Sequence, residues 1–125
     1  MKFTTSLKKN HEFKRLYSKG KSAASQCVVV YCRKNYLPGN RFGVTVSTKL
    51  GGAVQRNRIR RRLKEIYRLN ESKLTAGYDI VLVARMRSRT AEFAELNSSV
   101  LSLLKKLGIL YSGNMGNDRT GGGRI

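Results

Sequence analysis

A basic segment in the middle of the chain restricts how this sequence can fold more than any other feature. Lys49–Arg68 contains eight lysines and arginines and a single acid, Glu65. Within it, Ile59, Leu63 and Ile66 recur at positions i, i+4 and i+7, the spacing of one face of an α-helix. The segment is therefore predicted to be an amphipathic helix that buries its apolar stripe against a core and leaves its cations in solvent.

The cationic face of this helix is suited to a polyanion. Adjacent like charges repel one another, and guanidinium groups match the geometry of phosphate. A merely solvated face would normally interleave acids for i, i+4 pairing, and only Glu65 is available here. On an ideal helix the side chains that point roughly away from the apolar stripe are Arg56, Asn57, Arg60, Arg61 and Lys64.

The whole chain has the same charge bias. It contains 26 Lys and Arg against 7 Asp and Glu, a formal net charge of +19 over 125 residues, which indicates a nucleic-acid partner. A membrane-surface protein would instead expose Phe or Trp on a strongly apolar helix face. The sequence has no run of about 18 apolar residues, and its N-terminus lacks the apolar segment of a signal peptide. We therefore predict a soluble, cytoplasmic protein that does not associate with membranes.

Hydrophobic periodicity and turn residues predict one domain, over residues 1–111, made of alternating helices and strands. Residues 1–9 are expected to form a loosely ordered basic arm, and the glycine-rich residues 112–125 a disordered tail. The predicted elements between them are a helix over 10–18, strands over 26–33 and 41–48, the basic helix from after Gly52 to about Asn70, a strand over 78–86 and a helix over 90–107.

Aromatic side chains provide a second candidate contact surface. Phe13 and Tyr17 are one turn apart on the first helix, and Tyr31 and Arg33 share one face of the first strand. Rings flanked by cations are typical of grooves for single-stranded nucleic acid, in which bases stack on the rings. Packing in an ordinary core would explain the same rings, and for Phe13 the two interpretations have equal weight.

No group of side chains has the arrangement of a protein active site. The acids are scattered without a D-x-D or E-x-x-H pattern, His11 has no obvious triad partner, and no phosphate-binding glycine loop follows a strand. Cys27 and Cys32, with a single histidine in the chain, are too few for a zinc site and are interpreted as buried thiols. The residues by themselves predict an RNA-binding or DNA-binding module.

The basic segment and its neighbours resemble one known family. Thr48–Ile66 is similar to the signature of the bacterial ribonuclease P protein component, in which a Lys-Gly-Ala-Val stretch leads into an Arg-Asn-Arg motif and a basic helix. The likeness covers nearly the whole chain apart from the tail. Further matches lie on both sides of the signature, at Phe13, Tyr17, Tyr31, Phe42–Ser47 and Asp79–Arg85.

This resemblance implies a fold. The expected fold is an α+β two-layer sandwich in the order α-β-β-β-α-β-α, with an additional short strand near Lys21–Ser25. The mixed sheet would contain an unusual left-handed β-α-β crossover through the basic helix, in a ribosomal protein S5 domain 2-like arrangement. General rules of topology alone would predict the right-handed form.

The resemblance also implies a function as the accessory protein subunit of an RNA enzyme. A catalytic RNA, with Mg²⁺ held mainly by that RNA, would remove the 5′ leader of precursor tRNA. The protein alone would contribute no catalytic residue, bind no metal or other cofactor and act on no small-molecule substrate. By position, the residues that face the catalytic RNA would be Lys49, Arg56, Asn57, Arg58, Arg60, Arg61, Lys64 and Arg68. The cleft for the leader would be formed by Phe13, Tyr17, Tyr31 and Arg33.

Two other functions fit parts of the sequence. A structural RNA-binding protein of the ribosomal type would have much the same charge and fold class, but it would bind ribosomal RNA. An independent RNA hydrolase is disfavoured by the lack of a credible arrangement of acids around a metal. The identity of the RNA partner separates the first alternative from the ribonuclease P assignment.

Overall fold

A computed structural model describes residues 4–110, so the predicted tail at 112–125 and the end of the predicted domain at residue 111 lie outside the described residues. This part of the chain contains three α-helices and five β-strands. In chain order they are β1 (Thr4–Ser6), α1 (Asn10–Lys19), β2 (Lys21–Ala24), β3 (Val28–Lys34), β4 (Asn40–Thr45), α2 (Ala53–Asn70), β5 (Tyr78–Ala84) and α3 (Phe93–Lys106). The predicted order is confirmed, with one strand added in front.

The strands form one mixed sheet in the order β1-β4-β5-β3-β2. β1 and β5 run parallel to β4, whereas β3 is antiparallel to both β5 and β2. The near-continuous apolar run of β5 suits its central position, because both faces of that strand are covered. β3 instead alternates buried and half-buried side chains along its length, which indicates that one of its faces is less completely covered.

Helices α2 and α3 cover one face of the sheet and enclose the main core. The predicted apolar stripe of α2 is confirmed, since Ile59, Leu63 and Ile66 are all buried in this core. α1 lies on the opposite face, where Leu16 packs with Val81 of β5 in a second, smaller cluster. No helix within residues 4–110 is long and apolar enough to cross a membrane.

The connection from β4 through α2 to β5 joins neighbouring parallel strands, and one hydrogen bond gives its handedness. The Phe42 carbonyl accepts from the Leu7 amide at 2.9 Å, so the peptide groups of Phe42 point toward β1. The Phe42 ring points toward α2 and stacks on Tyr67 with a centroid distance of 4.0 Å. Consider a strand of L-residues that runs upward, with one side chain pointing toward the viewer. The N–H and C=O groups of that residue then point to the viewer's right. Viewed from α2, β1 therefore lies right of β4 and β5 lies left, and the crossover is left-handed, against the general rule.

The N-terminal arm is structured from Thr4 onward, so the prediction of a loosely ordered arm was wrong for Thr4–Ser6. These residues pair in parallel with β4. The Thr4 hydroxyl lies 2.8 Å from the Tyr67 hydroxyl of α2 and donates a hydrogen bond to the Glu71 carboxylate. A polar strand of three residues has no hydrophobic period, so only its tertiary partners fix its structure.

Candidate nucleic-acid interface

The exposed side of α2 presents a basic stripe that we call the α2 stripe, formed by Asn57, Arg60, Arg61 and Lys64. These four side chains, together with the 86% exposed Val54, line one shallow groove. The Arg60 guanidinium donates to the Asn57 side-chain oxygen at 2.9 Å. Neither Arg61 nor Lys64 forms an ion pair within residues 4–110. Their charges are therefore available to an anionic partner.

The other predicted α2 contacts have different surroundings. Arg56 is half-buried and its Nε donates to the Gly51 carbonyl at 3.1 Å, which fastens the turn that precedes the helix. Arg58 is exposed in a neighbouring groove near the start of α2, and Lys49 is exposed on the 3-10 turn before it. The structure thus brings only part of the predicted set together in one groove.

Arg68 and Arg62 have intramolecular partners. Arg68 forms a two-pronged ion pair with Glu65, with N–O distances of 2.8 and 2.7 Å. The hydrogen bond from Arg68 keeps the pKa of the Glu65 carboxyl below its usual value. Arg62, which the sequence does not distinguish from its neighbours, donates to the Ala91 carbonyl at 2.9 Å and so ties α2 to the segment before α3.

The three predicted rings form a cluster between α1 and the sheet, which we call the aromatic cleft. The ring centroids of Phe13 and Tyr17 are 6.4 Å apart, and those of Tyr17 and Tyr31 are 5.0 Å apart in an edge-to-face arrangement. Tyr17 is 41% exposed, and its hydroxyl lies 2.9 Å from the Thr45 hydroxyl of β4. Tyr17 is therefore held in place but not buried, which leaves ring surface available for stacking.

Gly43 creates the space for this cluster. A Cβ atom at Gly43 would lie 2.8 and 2.9 Å from two carbon atoms of the Phe13 ring. The Phe13 ring is half-buried and packs against the Leu7, Leu16 and Val81 cluster. Phe13 is therefore partly a core residue, whereas Tyr17 presents more of its ring to solvent.

A partly buried ionic network that the sequence did not reveal connects α1 to the sheet. Arg41 of β4 donates to both carboxylate oxygens of Asp79 on β5, at 2.8 and 2.7 Å, and also to the Glu12 carboxylate of α1. The hydrogen bonds and charge of Asp79 raise the pKa of the Arg41 guanidinium above its usual value. Burial raises the pKa of the Glu12 carboxyl, but the Lys9 amide and Arg41 outweigh this effect, so the pKa lies below its usual value. The network thereby orients the helix that bears Phe13 and Tyr17.

Arg33 follows Tyr31 by two residues on β3 but is not part of the ring cluster. In the sheet, Arg33 is level with Asp79 of β5 and with Arg41 near the start of β4. The hydroxyl of Tyr17 instead forms a hydrogen bond with the Thr45 hydroxyl at the end of β4. Arg33 instead lines a separate cavity beside Lys34. The structure therefore brings Phe13, Tyr17 and Tyr31 together and places the fourth predicted cleft residue in a different concavity.

The two cysteines and Glu95 of α3 have roles in packing and ion pairing. No three His, Cys, Asp or Glu side chains within residues 4–110 are grouped as metal ligands. Cys27 and Cys32 are free and buried in the main core. Glu95 accepts two hydrogen bonds from Arg87 at 3.0 Å, and Cys27 Sγ lies 3.6 Å from the same carboxylate. The geometry therefore offers two candidate contact surfaces, a cationic one suited to phosphate and an aromatic one suited to stacking with bases.

Comparison with known proteins identifies the family. A sequence model described as Ribonuclease P matches residues 1–108. The chain belongs to the ribonuclease P protein family. The ribonuclease P protein component of Clostridioides difficile is 44% identical over 107 residues, covering 85% of this chain and 94% of the relative. That of Caldanaerobacter subterraneus is 49% identical over 102 residues, covering 82% of this chain and 88% of the relative.

Solved ribonuclease P proteins have the same fold. The Staphylococcus aureus protein is 34% identical, with a TM-score of 0.77 over 84% of this chain and 96% of that one. The Thermotoga maritima protein is 31% identical, with a TM-score of 0.75 over 81% of this chain and 96% of that one. The resemblance read from the signature is thus confirmed, as is the α+β fold. Membership makes this chain a protein component of a tRNA-processing ribonuclease, a ribonucleoprotein with an RNA partner.

Proposed function

We propose that this protein uses its two surfaces for two different RNAs within cytoplasmic ribonuclease P. The α2 stripe, with Lys49, Arg56, Arg58 and Arg68 around it, would contact the catalytic RNA. The aromatic cleft would hold the single-stranded 5′ leader of precursor tRNA. The catalytic RNA would then cleave the leader from the tRNA, and the protein would contribute affinity and position.

The observation that carries this proposal is the free charge of the α2 stripe. α2 is fixed by its buried face, so Arg61 and Lys64 project from a rigid support, and neither has an ion-pair partner in the part of the chain that the structure describes. Holding unpaired cations side by side costs stability, and phosphate oxygens would relieve that repulsion. A rigid helix that presents several cations suits a folded RNA, whose phosphates have fixed positions.

The cleft is suited to unpaired bases for a different reason. Tyr17 is 41% exposed while its hydroxyl is held beside Thr45. A base that stacks on a ring already held in position orders few additional protein atoms. Paired bases in a helix offer no free face to such a ring, so the cleft favours a single strand over the folded body of tRNA.

Three acids of residues 4–110 that lie on the elements forming these surfaces are poor candidates for a magnesium site. Glu12 and Asp79 accept hydrogen bonds from Arg41, and Glu65 accepts them from Arg68. A carboxylate already paired with a guanidinium is a poor ligand for a hard cation unless that pair breaks. We therefore assign the Mg²⁺ that supplies the hydrolytic chemistry to the RNA and no metal or other cofactor to the protein alone.

A double substitution in the α2 stripe tests the first surface. Arg61→Ala with Lys64→Ala should weaken binding to the catalytic RNA, and the log–log salt slope should become shallower by roughly 0.7–0.9 per lost phosphate contact. Lys73→Ala with Lys105→Ala is the matched control, because it removes two exposed positive charges elsewhere. Equal affinity and equal slope for the two variants would place the catalytic RNA on another surface.

Two substitutions at Tyr17 test the second surface. Tyr17→Ala should remove about 1–3 kcal/mol of affinity for precursor tRNA with a leader and leave affinity for mature tRNA unchanged. Tyr17→Phe keeps the ring and should retain most of that affinity. A loss that is the same for both tRNAs, or that follows a fall in the free energy of unfolding, would mean that Tyr17 is structural.

The RNA partner in the cell tests the assignment as a whole. Ultraviolet crosslinking of the full chain in cells, followed by sequencing of the attached RNA, should recover the catalytic RNA and precursor tRNA leaders. Enrichment of ribosomal RNA instead would favour a structural ribosomal role and count against this proposal.

A further inference from the structure

A cationic cavity of about 250 Å³ lies at the end of the fold where α1, β3, β5 and α3 converge. Four of its lining residues are cations, namely Lys19, Lys21, Arg33 and Lys34. None of them forms an ion pair within residues 4–110. Arg33 lies directly across the strands from Asp79, but Arg41 occupies both oxygens of that carboxylate. The cavity therefore concentrates positive charge with no acid of the described chain to neutralise it.

The rest of the lining is apolar. Tyr78 is half-buried at the start of β5, and Leu107 is half-buried just after α3. Cys32 is 2% exposed, and burial raises the pKa of its thiol while the charge of Lys21, which also lines the cavity, opposes the increase. A ligand with both an anionic and a flat apolar part would use both kinds of lining.

Gly20 allows the elements around the cavity to approach one another. A Cβ atom at Gly20 would lie 2.6 Å from the Leu16 carbonyl oxygen and 2.9 Å from the Cys32 carbonyl oxygen. The absence of a side chain lets the end of α1 lie directly against β3, which brings Lys19 and Lys21 to the same rim as Lys34. The close contact between the end of α1 and the backbone of β3 thus brings the cations of the cavity together.

We infer that this cavity is a second nucleotide site, which takes one unpaired nucleotide of the precursor tRNA leader beyond the aromatic cleft. The phosphate would lie among the lysines and Arg33, and the base would pack on Tyr78 and Leu107. At about 250 Å³ the cavity is slightly smaller than typical sites for drug-sized ligands, which suits a single base. This inference rests on the proposed function, because it needs a leader that already occupies the aromatic cleft.

The position of the cavity indicates the order of the two sites along the leader. β4 runs from Arg41 to Thr45 and then continues toward α2, so the Tyr17–Thr45 contact lies at the α2 end of the strands. The cavity lies at the opposite end, beside Arg33 and Lys34. A leader that leaves the catalytic RNA near α2 would meet the aromatic cleft first and the cavity later.

The test uses reconstituted holoenzyme and a set of precursor tRNAs whose leaders lengthen by one nucleotide at a time. With Lys21→Ala plus Lys34→Ala, short leaders should bind as they do to Lys73→Ala plus Lys105→Ala, the charge-matched control. Longer leaders should lose affinity by about tenfold, and their salt slope should become shallower by roughly 0.7 for each lost contact to the single strand.

A substitution that leaves charge unchanged provides a second arm. Leu107→Trp should fill the cavity and cause the same loss, confined to long leaders, in protein whose circular dichroism and melting temperature match the wild type. Lys34→Arg should preserve binding, because the guanidinium can still contact phosphate. The same leader-dependent loss in the charge variant and in the filled-cavity variant would indicate that a nucleotide occupies the cavity. A long-range effect of the removed charges would not explain the loss in the filled-cavity variant.

Several results would overturn the inference. The inference fails if the cavity variants match the control at every leader length, or if they lose affinity equally for mature tRNA. A loss confined to assembly with the catalytic RNA would assign the cavity to that RNA and contradict the leader site. Tyr17→Ala is measured in parallel. If neither Tyr17→Ala nor the cavity variants lose affinity in a leader-dependent way, the proposed function fails. If only Tyr17→Ala shows such a loss, this inference alone is refuted.

Discussion

Removal of Arg41 should loosen α1 and measurably weaken the fold. Arg41→Met keeps a side chain of similar length but eliminates the hydrogen bonds to Asp79 and Glu12. The side chains of Glu12 and Asp79 are only 14% and 11% exposed, so their charges would remain largely desolvated without a partner. Breaking a fully buried ion pair would destabilise the protein more, but Arg41 itself is 26% exposed. We therefore expect the free energy of unfolding to fall by about 2–4 kcal/mol.

Chemical and thermal unfolding followed by circular dichroism would measure this loss. For a domain of this size the expected decrease in Tm is about 10–20 °C. Arg68→Met is the matched control, because it breaks an exposed ion pair with Glu65 and should leave stability unchanged. Leader affinity should also fall in Arg41→Met even where the protein is fully folded, since α1 carries Phe13 and Tyr17.

The pH dependence separates the ionic explanation from a simple packing defect. The pKa of Glu12 is lower in the folded protein than its ordinary value of 4.5, so its stabilising contribution exists above that value and disappears as pH falls through the folded pKa. In Arg41→Met this depression is weakened. The stability gap between wild type and variant should therefore narrow as pH falls from 7 to below 4.5. A gap that stays constant over this range would refute the reasoning.

Three further substitutions have defined outcomes. Gly43→Ala should destabilise the protein by about 1–3 kcal/mol in urea unfolding because its Cβ atom would collide with Phe13, and Phe13→Leu should recover part of the loss. Arg62→Met removes the hydrogen bond to the Ala91 carbonyl and should lower the free energy of unfolding by about 1 kcal/mol. The affinity of the folded variant for the catalytic RNA should stay constant. Tyr36→Asn should raise the free energy of unfolding by up to about 1 kcal/mol, because φ is 60° at this exposed tyrosine and asparagine tolerates the left-handed region better.

Elements with a strong hydrophobic period could be predicted from the sequence. The Ile59, Leu63 and Ile66 stripe identified α2 and its buried face, and the apolar run at residues 78–86 identified a strand, because burial of repeated apolar side chains dominates local structure. The strand β1 could not be found in this way. Its three polar residues become a strand only because the edge of β4 and the Tyr67 hydroxyl are available to them.

The candidate site was predictable in composition but not in arrangement. Helical spacing placed Phe13 and Tyr17 together, the family resemblance grouped Tyr31 with them, and the three rings form one cluster in the structure. Spacing along one strand also grouped Arg33 with Tyr31, but in the structure Arg33 lines a separate cavity beside Lys34. The partners of Arg41 lie 29 and 38 residues away in the sequence, and no local pattern could reveal them.

The short link between β4 and α2 has a mechanical consequence for the two RNA surfaces. Residues 46–52 join Thr45, which touches Tyr17, to the start of α2, and Val46 and Leu50 anchor this link in the core. A strand cannot stretch and the anchored link cannot swing, so the aromatic cleft and the α2 stripe stay at a constant separation. If both surfaces bind RNA as proposed, the protein holds the two RNAs at a fixed distance from each other. Both surfaces can be occupied at once only when the distance between the leader and the phosphates of the catalytic RNA matches the distance between the two surfaces.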